Sequence, residues 1–162
     1  MMATARDQQA AVEPGTAADA AAVERLSRAS FDPRFREAWS AGQIARALAD
    51  PGVFLLVVRG GPGELLGFAL TRALAGEAEL LLCAVLPAHR RSGLASALVA
   101  AAMAEARRMG ARRMFLEVRE SNGAARSLYR SLGFEPVGTR PFYYRSVAGE
   151  VANAITLSRS LA

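Results

Sequence analysis

A chain of 162 residues with 52% hydrophobic and 22% charged residues is long and apolar enough to pack one domain, and this is not the composition of a disordered chain. No apolar run nears the roughly 20 residues of a membrane span, and charged and amide residues interrupt Met1 to Ala11 where a signal peptide needs its apolar segment, so a cytoplasmic location is expected. One cysteine, Cys83, excludes an internal disulfide or a Cys-rich metal site; the net charge of +5 conceals 8 Arg against 10 acids through Leu80 and 12 Arg against 5 acids after it.

Met1 to Ala11 is expected to be a mobile tail, with a single domain over 12–162. Val12 opens a first strand, and Thr16 is placed to cap a helix running to about Ser30, which Asp32-Pro33 breaks. Trp39-Ser40 leads into a second helix to about Ala49, ended by Asp50-Pro51-Gly52. Val53 to Arg59 and Glu64 to Arg72 are β-rich runs around the turn cluster Gly60-Gly61-Pro62-Gly63, a hairpin pattern. Ala75 to Leu86 supplies the next strand. A helix then ends near Gly110, with Leu94, Ala97, Leu98 and Ala101 as its core-facing stripe. Arg112 to Arg119 is a strand, Ser121 to Leu132 a helix closed by Gly133, and Phe134 to Arg140 and Val151 to Ser158 are the last two strands. Arg107, Arg108, Arg112 and Arg113 flank Met109-Gly110, where cations complement a helix end, so they read as a solvated terminus and not as a nucleic-acid patch.

The stretch from Leu80 to Leu98 carries the strongest signal: a buried strand, a basic glycine-containing loop, and a helix. Backbone N–H groups from about Ser92 to Ser96 lack intrahelical partners and carry partial positive charge, so they suit a phosphate or pyrophosphate. An ordinary strand-to-helix turn, its glycine merely relieving strain, is the other reading. No Gly-Lys-Ser or Gly-Lys-Thr is present, and a dinucleotide fingerprint would need glycine at Ser96.

In Met114 to Arg119 the period of two puts Phe115 and Glu117 on the face opposite Met114, Leu116 and Val118. A carboxylate at Glu117 lies either on a solvated face or in a cleft that uses its charge. Ala125, Leu128, Tyr129 and Leu132 form one stripe of the following helix; Tyr129 is core, with a hydroxyl that needs a partner, or part of a site. Asn122 reads as that helix's N-cap in either case. Cys83 reads as an inert buried thiol, and His89 as a solvated turn residue.

Arg90-x-x-Gly93-x-Ala95 after a strand resembles the [Gln/Arg]-x-x-Gly-x-[Gly/Ala] signature of the GNAT superfamily of N-acetyltransferases. The segments Leu116-Glu117-Val118-Arg119, Ser121-Asn122, Leu128-Tyr129, Leu132-Gly133-Phe134 and Arg140-Pro141-Phe142-Tyr143-Tyr144 look like the RimI-type ribosomal-protein alanine N-acetyltransferases, colinear from about Glu79 to Leu157. The resemblance implies the GNAT fold: one α/β domain with a mixed central sheet flanked by helices. It implies acetyl-CoA as co-substrate and no metal, with Glu117 as general base and Tyr129 as general acid. Cys83, Ala84 and Val85 would align the acetyl arm. Arg90, Arg91, Ser92, Gly93, Leu94, Ala95 and Ser96 would cradle the pyrophosphate, and Asn122 would touch the coenzyme. Trp39, Tyr143 and Tyr144 would contact the acceptor, with Phe31 and Phe35 as further candidates; the alternative is that these aromatics only anchor a helical flap and the edge of the last hairpin.

The implied acceptor is a peptide or protein N-terminus, a ribosomal protein among the candidates, bound by a monomer or dimer that engages neither nucleic acid nor membrane. Asn153, Pro141 and Phe142 depart from the acidic and polar residues usual in RimI-like enzymes, which leaves the acceptor open. The alternatives are acetylation of a small amine (an amino acid, a polyamine or an antibiotic), a non-catalytic acyl-CoA-binding module and, more distantly, a nucleic-acid-binding module.

Overall fold

The computed structural model describes residues 11–35 and 37–162, so the expected tail, apart from Ala11, lies outside the described residues. In chain order come β1 (Val12–Pro14), α1 (Ala20–Ser30), α2 (Ala41–Leu48), β2 (Val53–Arg59), β3 (Leu65–Leu74), β4 (Glu77–Val85), α3 (Leu94–Arg108), β5 (Arg113–Arg119), α4 (Gly123–Ser131), β6 (Glu135–Arg145) and β7 (Val151–Ser160). The strands form one sheet in the order β1-β2-β3-β4-β5-β7-β6. Every neighbouring pair is antiparallel except β4–β5, which gives the expected α/β fold with a mixed sheet.

Capping fixes where the first helices start. Thr16 Oγ1 accepts from the Ala18 N–H at 3.2 Å while Asp19 accepts from the Thr16 N–H at 2.9 Å, closing a capping box on a single 3-10 turn that runs into α1. Ser40 and Gln43 repeat the device on α2. Helix α1 and helix α2 then cover one face of the sheet, packing Val23, Leu26 and Ile44 on Leu55, Val57, Phe68 and Leu70. Helix α3 covers the other face, with Leu98 and Val99 against Leu56, Val58, Met114 and Leu116. Alternate residues of β2 therefore feed opposite cores, as strand geometry requires.

The buried stripe of α3 is Leu98, Val99, Ala102, Met103 and Ala106, turned from the expected Leu94-Ala97-Leu98-Ala101, and Ala97 is exposed. Alanine lies all round this helix, so its apolar period does not single out a face. Burying the larger Val99 and Met103 against the sheet gains about 1.5–3 kcal/mol each and decides the rotation.

Three departures from the expected strands shape the site. First, Ala75 and Gly76 take φ of +55° and +83° and make the two-residue turn of a β3–β4 hairpin, so β4 begins at Glu77 instead of Ala75. Second, Leu70 pairs with Leu82 but Thr71 with Leu80, which leaves Leu81 as an extra, bulged residue. The bulge reverses the alternation: Ala78 and Leu80 join the α3 core, whereas Leu82 and Ala84 join the α1–α2 core. Just before it the β4–β5 ladder, which holds only Glu77↔Arg113, Ala78↔Met114 and Glu79↔Phe115, comes to an end and the strands part. Third, β6 does not stop at Arg140. Arg140 pairs with Ala154 and Tyr144 with Ala152, so Pro141-Phe142-Tyr143 arch out opposite Asn153 alone, with Phe142 at φ +57°. Proline cannot donate to the ladder, and the Asn153 side chain stands in by accepting from the Phe142 N–H at 3.1 Å.

Candidate active site

The parting of β4 and β5 opens a cleft of about 330 Å³. Strand β4 lines it with Glu79 and Leu80 to Cys83, β5 with Leu116 to Arg119, and α4 with Ala125 and Tyr129 behind the cap residue Asn122. From the α1–α2 connection come Phe31, Phe35, Glu37 and Trp39, and from the β6 arch Tyr143 and Tyr144. A larger concavity of about 520 Å³ against β1, α2 and β2 offers one titratable group, Glu105, which Arg108 already engages, and so has no acid–base pair to work with.

Glu117 sits in the cleft, not on a solvated face. Its side chain is 17% exposed; Oε1 lies 3.2 Å from Arg140 Nη1, while Oε2 is buried without a hydrogen-bond partner. Burial raises its pKa above the usual carboxylate range, the Arg140 guanidinium works against that rise, and the Glu79 carboxylate adds to it. Among the described residues no donor answers Oε2, which leaves it able to accept from a molecule that enters the cleft.

Tyr129 faces the same cleft from α4, its ring edge-on to Phe134 at 5.7 Å. Burial, and then the neighbouring Cys83, hold its phenol protonated well beyond the ordinary tyrosine range. Burial likewise pushes the Cys83 thiol up to about 12, which leaves it neutral and a poor nucleophile. Trp39, Tyr143 and Tyr144 all reach the cleft, and Tyr144 stands edge-on to both Phe35 at 6.4 Å and Tyr143 at 5.1 Å.

Of the other expected coenzyme residues, Asn122 lines this cleft, whereas Ala84, Val85 and the loop from Arg90 to Ser96 lie outside its lining. Ala84 and Val85 bury their side chains in opposite cores, on the part of β4 beyond the end of its ladder with β5. Arg90, Arg91, Ser92, Gly93, Leu94, Ala95 and Ser96 wrap the start of α3, with Arg91 at φ +62° and Gly93 at φ +82°. Gly93 occupies the N-cap position and has no side chain to cap with, so the first-turn N–H groups point out unclaimed by any cap. Arg90 donates from Nη2 to the Ser30 carbonyl at 2.9 Å and so ties the loop to the end of α1. Asn122 Oδ1 accepts from the Ala125 N–H at 3.2 Å, the cap that was expected, while the residue also lines the cleft. Among the described residues no cluster of His, Cys, Asp and Glu is arranged to hold a metal ion.

Glu37 and Arg119 were not foreseen as site residues. The Arg119 guanidinium, 10% exposed, lies 3.2 Å from Glu37 Oε1 and 4.4 Å from the centre of the Phe35 ring, fastening the α1–α2 connection over the cleft. Glu37 stands in an irregular segment where no periodicity marks a buried position.

A model of the acetyltransferase (GNAT) family matches residues 20–134. A ribosomal protein bS18-alanine N-acetyltransferase of Haemophilus influenzae is 30% identical over 120 residues, 74% of this chain and 80% of that one. The enzyme of the same name from Escherichia coli is 40% identical over 87 residues, 54% of this chain and 59% of its own length. The crystal structure of the E. coli ribosomal-protein-S18-alanine N-acetyltransferase superimposes with a TM-score of 0.82 at 28% identity, covering 94% of each chain.

Proposed function

This chain belongs to the acetyltransferase (GNAT) family, whose members use acetyl-CoA, and from that premise we propose that it acetylates a protein N-terminal α-amine, with an N-terminal alanine of a ribosomal protein as the leading acceptor. The observation that carries this reading is the placement of Glu117 and Tyr129 in one cleft where β4 and β5 part, with Glu117 Oε2 unpartnered.

The chemistry follows from what each group holds. The acceptor nitrogen bonds to the thioester carbon, and the carbonyl electron pair moves to oxygen, which a backbone N–H in the Cys83 to Val85 stretch would hold. Glu117 Oε2 takes the proton the amine must lose. Collapse of the tetrahedral centre breaks the C–S bond, and the departing sulfur receives the Tyr129 phenol proton. A neutral Cys83 suits direct transfer in a ternary complex, without a cysteine acyl-enzyme. The α-amine is the better match: with a pKa of about 8 it costs about 1.4 kcal/mol to deprotonate at pH 7, against about 4.6 kcal/mol for a lysine near 10.4. Gly93 and the α3 N-terminus would take the pyrophosphate, with Arg90 and Arg91 beside it.

Glu117→Gln and Tyr129→Phe are expected each to lower kcat/KM about 10²–10⁴-fold while acetyl-CoA affinity stays near wild type. Retained turnover in Glu117→Gln would remove Glu117 from the mechanism. Coenzyme binding without turnover in the wild-type protein, across α-amine and small-amine acceptors, would favour an acyl-CoA-binding module.

A further inference from the structure

Strand register places Arg140 beside the base. In the order β5-β7-β6, Arg119 pairs with Ala154 and Ala154 with Arg140, while Glu117 pairs with Thr156 and Thr156 with Gly138. Residues paired across a ladder point to the same face, as do residues two apart along a strand, so Glu117 and Arg140 share the cleft face with β7 between them. What lies between on β7 is Ala154, with only a methyl group, and the short side chain of Thr156, while Gly138 beside Arg140 on β6 carries no side chain to block the crossing. An arginine starting at position 140 can therefore lie across β7 and reach Glu117, and its Nη1 does so at 3.2 Å.

The geometry points to Arg140 as a positioning residue for the proposed base, an inference that rests on the reading of Glu117 above: its guanidinium occupies Oε1, so that Oε2 alone is presented to the acceptor amine. Two further contacts hold it there. Arg140 is the last ladder-paired residue before the β6 arch, so its backbone is fixed where the chain beyond it is not paired. Its Cζ also stands 5.4 Å from the centre of the Tyr143 ring, which lines the cleft mouth. Stability does not explain the pair, because Arg140 is 59% exposed and ion pairs of that kind contribute little to folding.

The same contact sets when the base is ready. Glu79 faces Glu117 from β4, Tyr144 from β6, Tyr129 from α4 and Glu37 from the α1–α2 connection, all in the one cleft. Arg119, two residues along β5, is engaged by Glu37. Burial and Glu79 favour the protonated carboxyl, and Arg140 is the cation that favours the carboxylate. Its loss shifts the pKa of Glu117 upward, so the acid limb of the pH–rate profile moves to higher pH.

The test is the pH dependence of kcat/KM with a peptide beginning in alanine, for wild type, Arg140→Gln, Arg140→Lys and Glu117→Gln. Arg140→Gln should move the acid limb up by about one pH unit, which is a rate loss of about tenfold below the limb and little loss at high pH. Arg140→Lys should restore most of the limb's position. A uniform loss at every pH with the limb unmoved, in Arg140→Gln, would make Arg140 a peptide contact or a structural residue and overturn the inference. The acceptor amine contributes its own acid limb at about pH 8 in every variant, so the limb that Arg140 moves is the second one below it. Failure of the underlying reading looks different: that lower limb would persist in Glu117→Gln.

Discussion

Gly93 shows how much a single residue carries. At φ +82° it stands in the left-handed region, and a Cβ there would meet nothing within 4 Å, so Gly93→Ala costs backbone strain alone, about 1 kcal/mol. Gly133, at φ +86° beside Arg159 at the end of α4, is the matched control with a similar strain cost. Both variants should unfold at lower urea by comparable amounts, but only Gly93→Ala should weaken acetyl-CoA binding, because only there does the backbone aim N–H groups at the proposed pyrophosphate site. Equal weakening of coenzyme binding by both would remove Gly93 from it. At this scale the sequence was readable where spacing speaks. Spacing set Glu117 on the face of its strand opposite Met114, Leu116 and Val118 and Tyr129 on a helix stripe, but only the family resemblance brought the two into one site, and Asn122 could be read as a cap from its position alone. Arg140 could not be paired with Glu117 in this way, since their contact crosses an intervening strand, over Ala154 and Thr156 of β7.

The elements owe their working shape to irregularities. The order of strands and helices was legible because Pro, Gly and capping residues punctuate apolar runs of distinct period. The bulge at Leu81 was not, because Leu80-Leu81-Leu82 is uniformly apolar and an inserted residue leaves no break in such a run. The rotation of α3 was hidden for a similar reason, in alanines that suit either face. Continuation of β6 past Pro141 was masked by a residue that ordinarily ends a strand, with Asn153 supplying the missing ladder contact from its side chain. One largely buried ion pair fastens the α1–α2 connection. Glu37 is buried enough for its carboxyl to rise above its ordinary pKa, and Arg119 is the cation that opposes this. Arg119→Met should therefore destabilise the protein by about 2–3 kcal/mol in urea unfolding, with Glu37→Gln in the same chain recovering most of the loss. Stability unchanged in the single variant would mean that the connection is held by its aromatics, Phe31, Phe35 and Trp39, and not by the ion pair.

Across the whole molecule the split between β4 and β5 would give the two proposed reactants separate approaches. Glu37, Glu79 and Glu117 gather in the cleft beneath the α1–α2 connection, where a cationic amine would be drawn, whereas the arginine-rich second half supplies the loop and helix start proposed for the phosphates. The uneven charge of the two halves, −2 through Leu80 and +7 after it, has a physical sense in that division of labour. Direct transfer needs such an arrangement, since acceptor and thioester must meet without either displacing the other. The measurement that bears most directly on this account is coenzyme A thiol release from acetyl-CoA with three acceptors: a peptide beginning in alanine, the same peptide with its N-terminus blocked and an internal lysine, and free small amines. Release with the unblocked peptide and not with the blocked one is the predicted result; release with small amines alone would contradict an N-terminal acceptor.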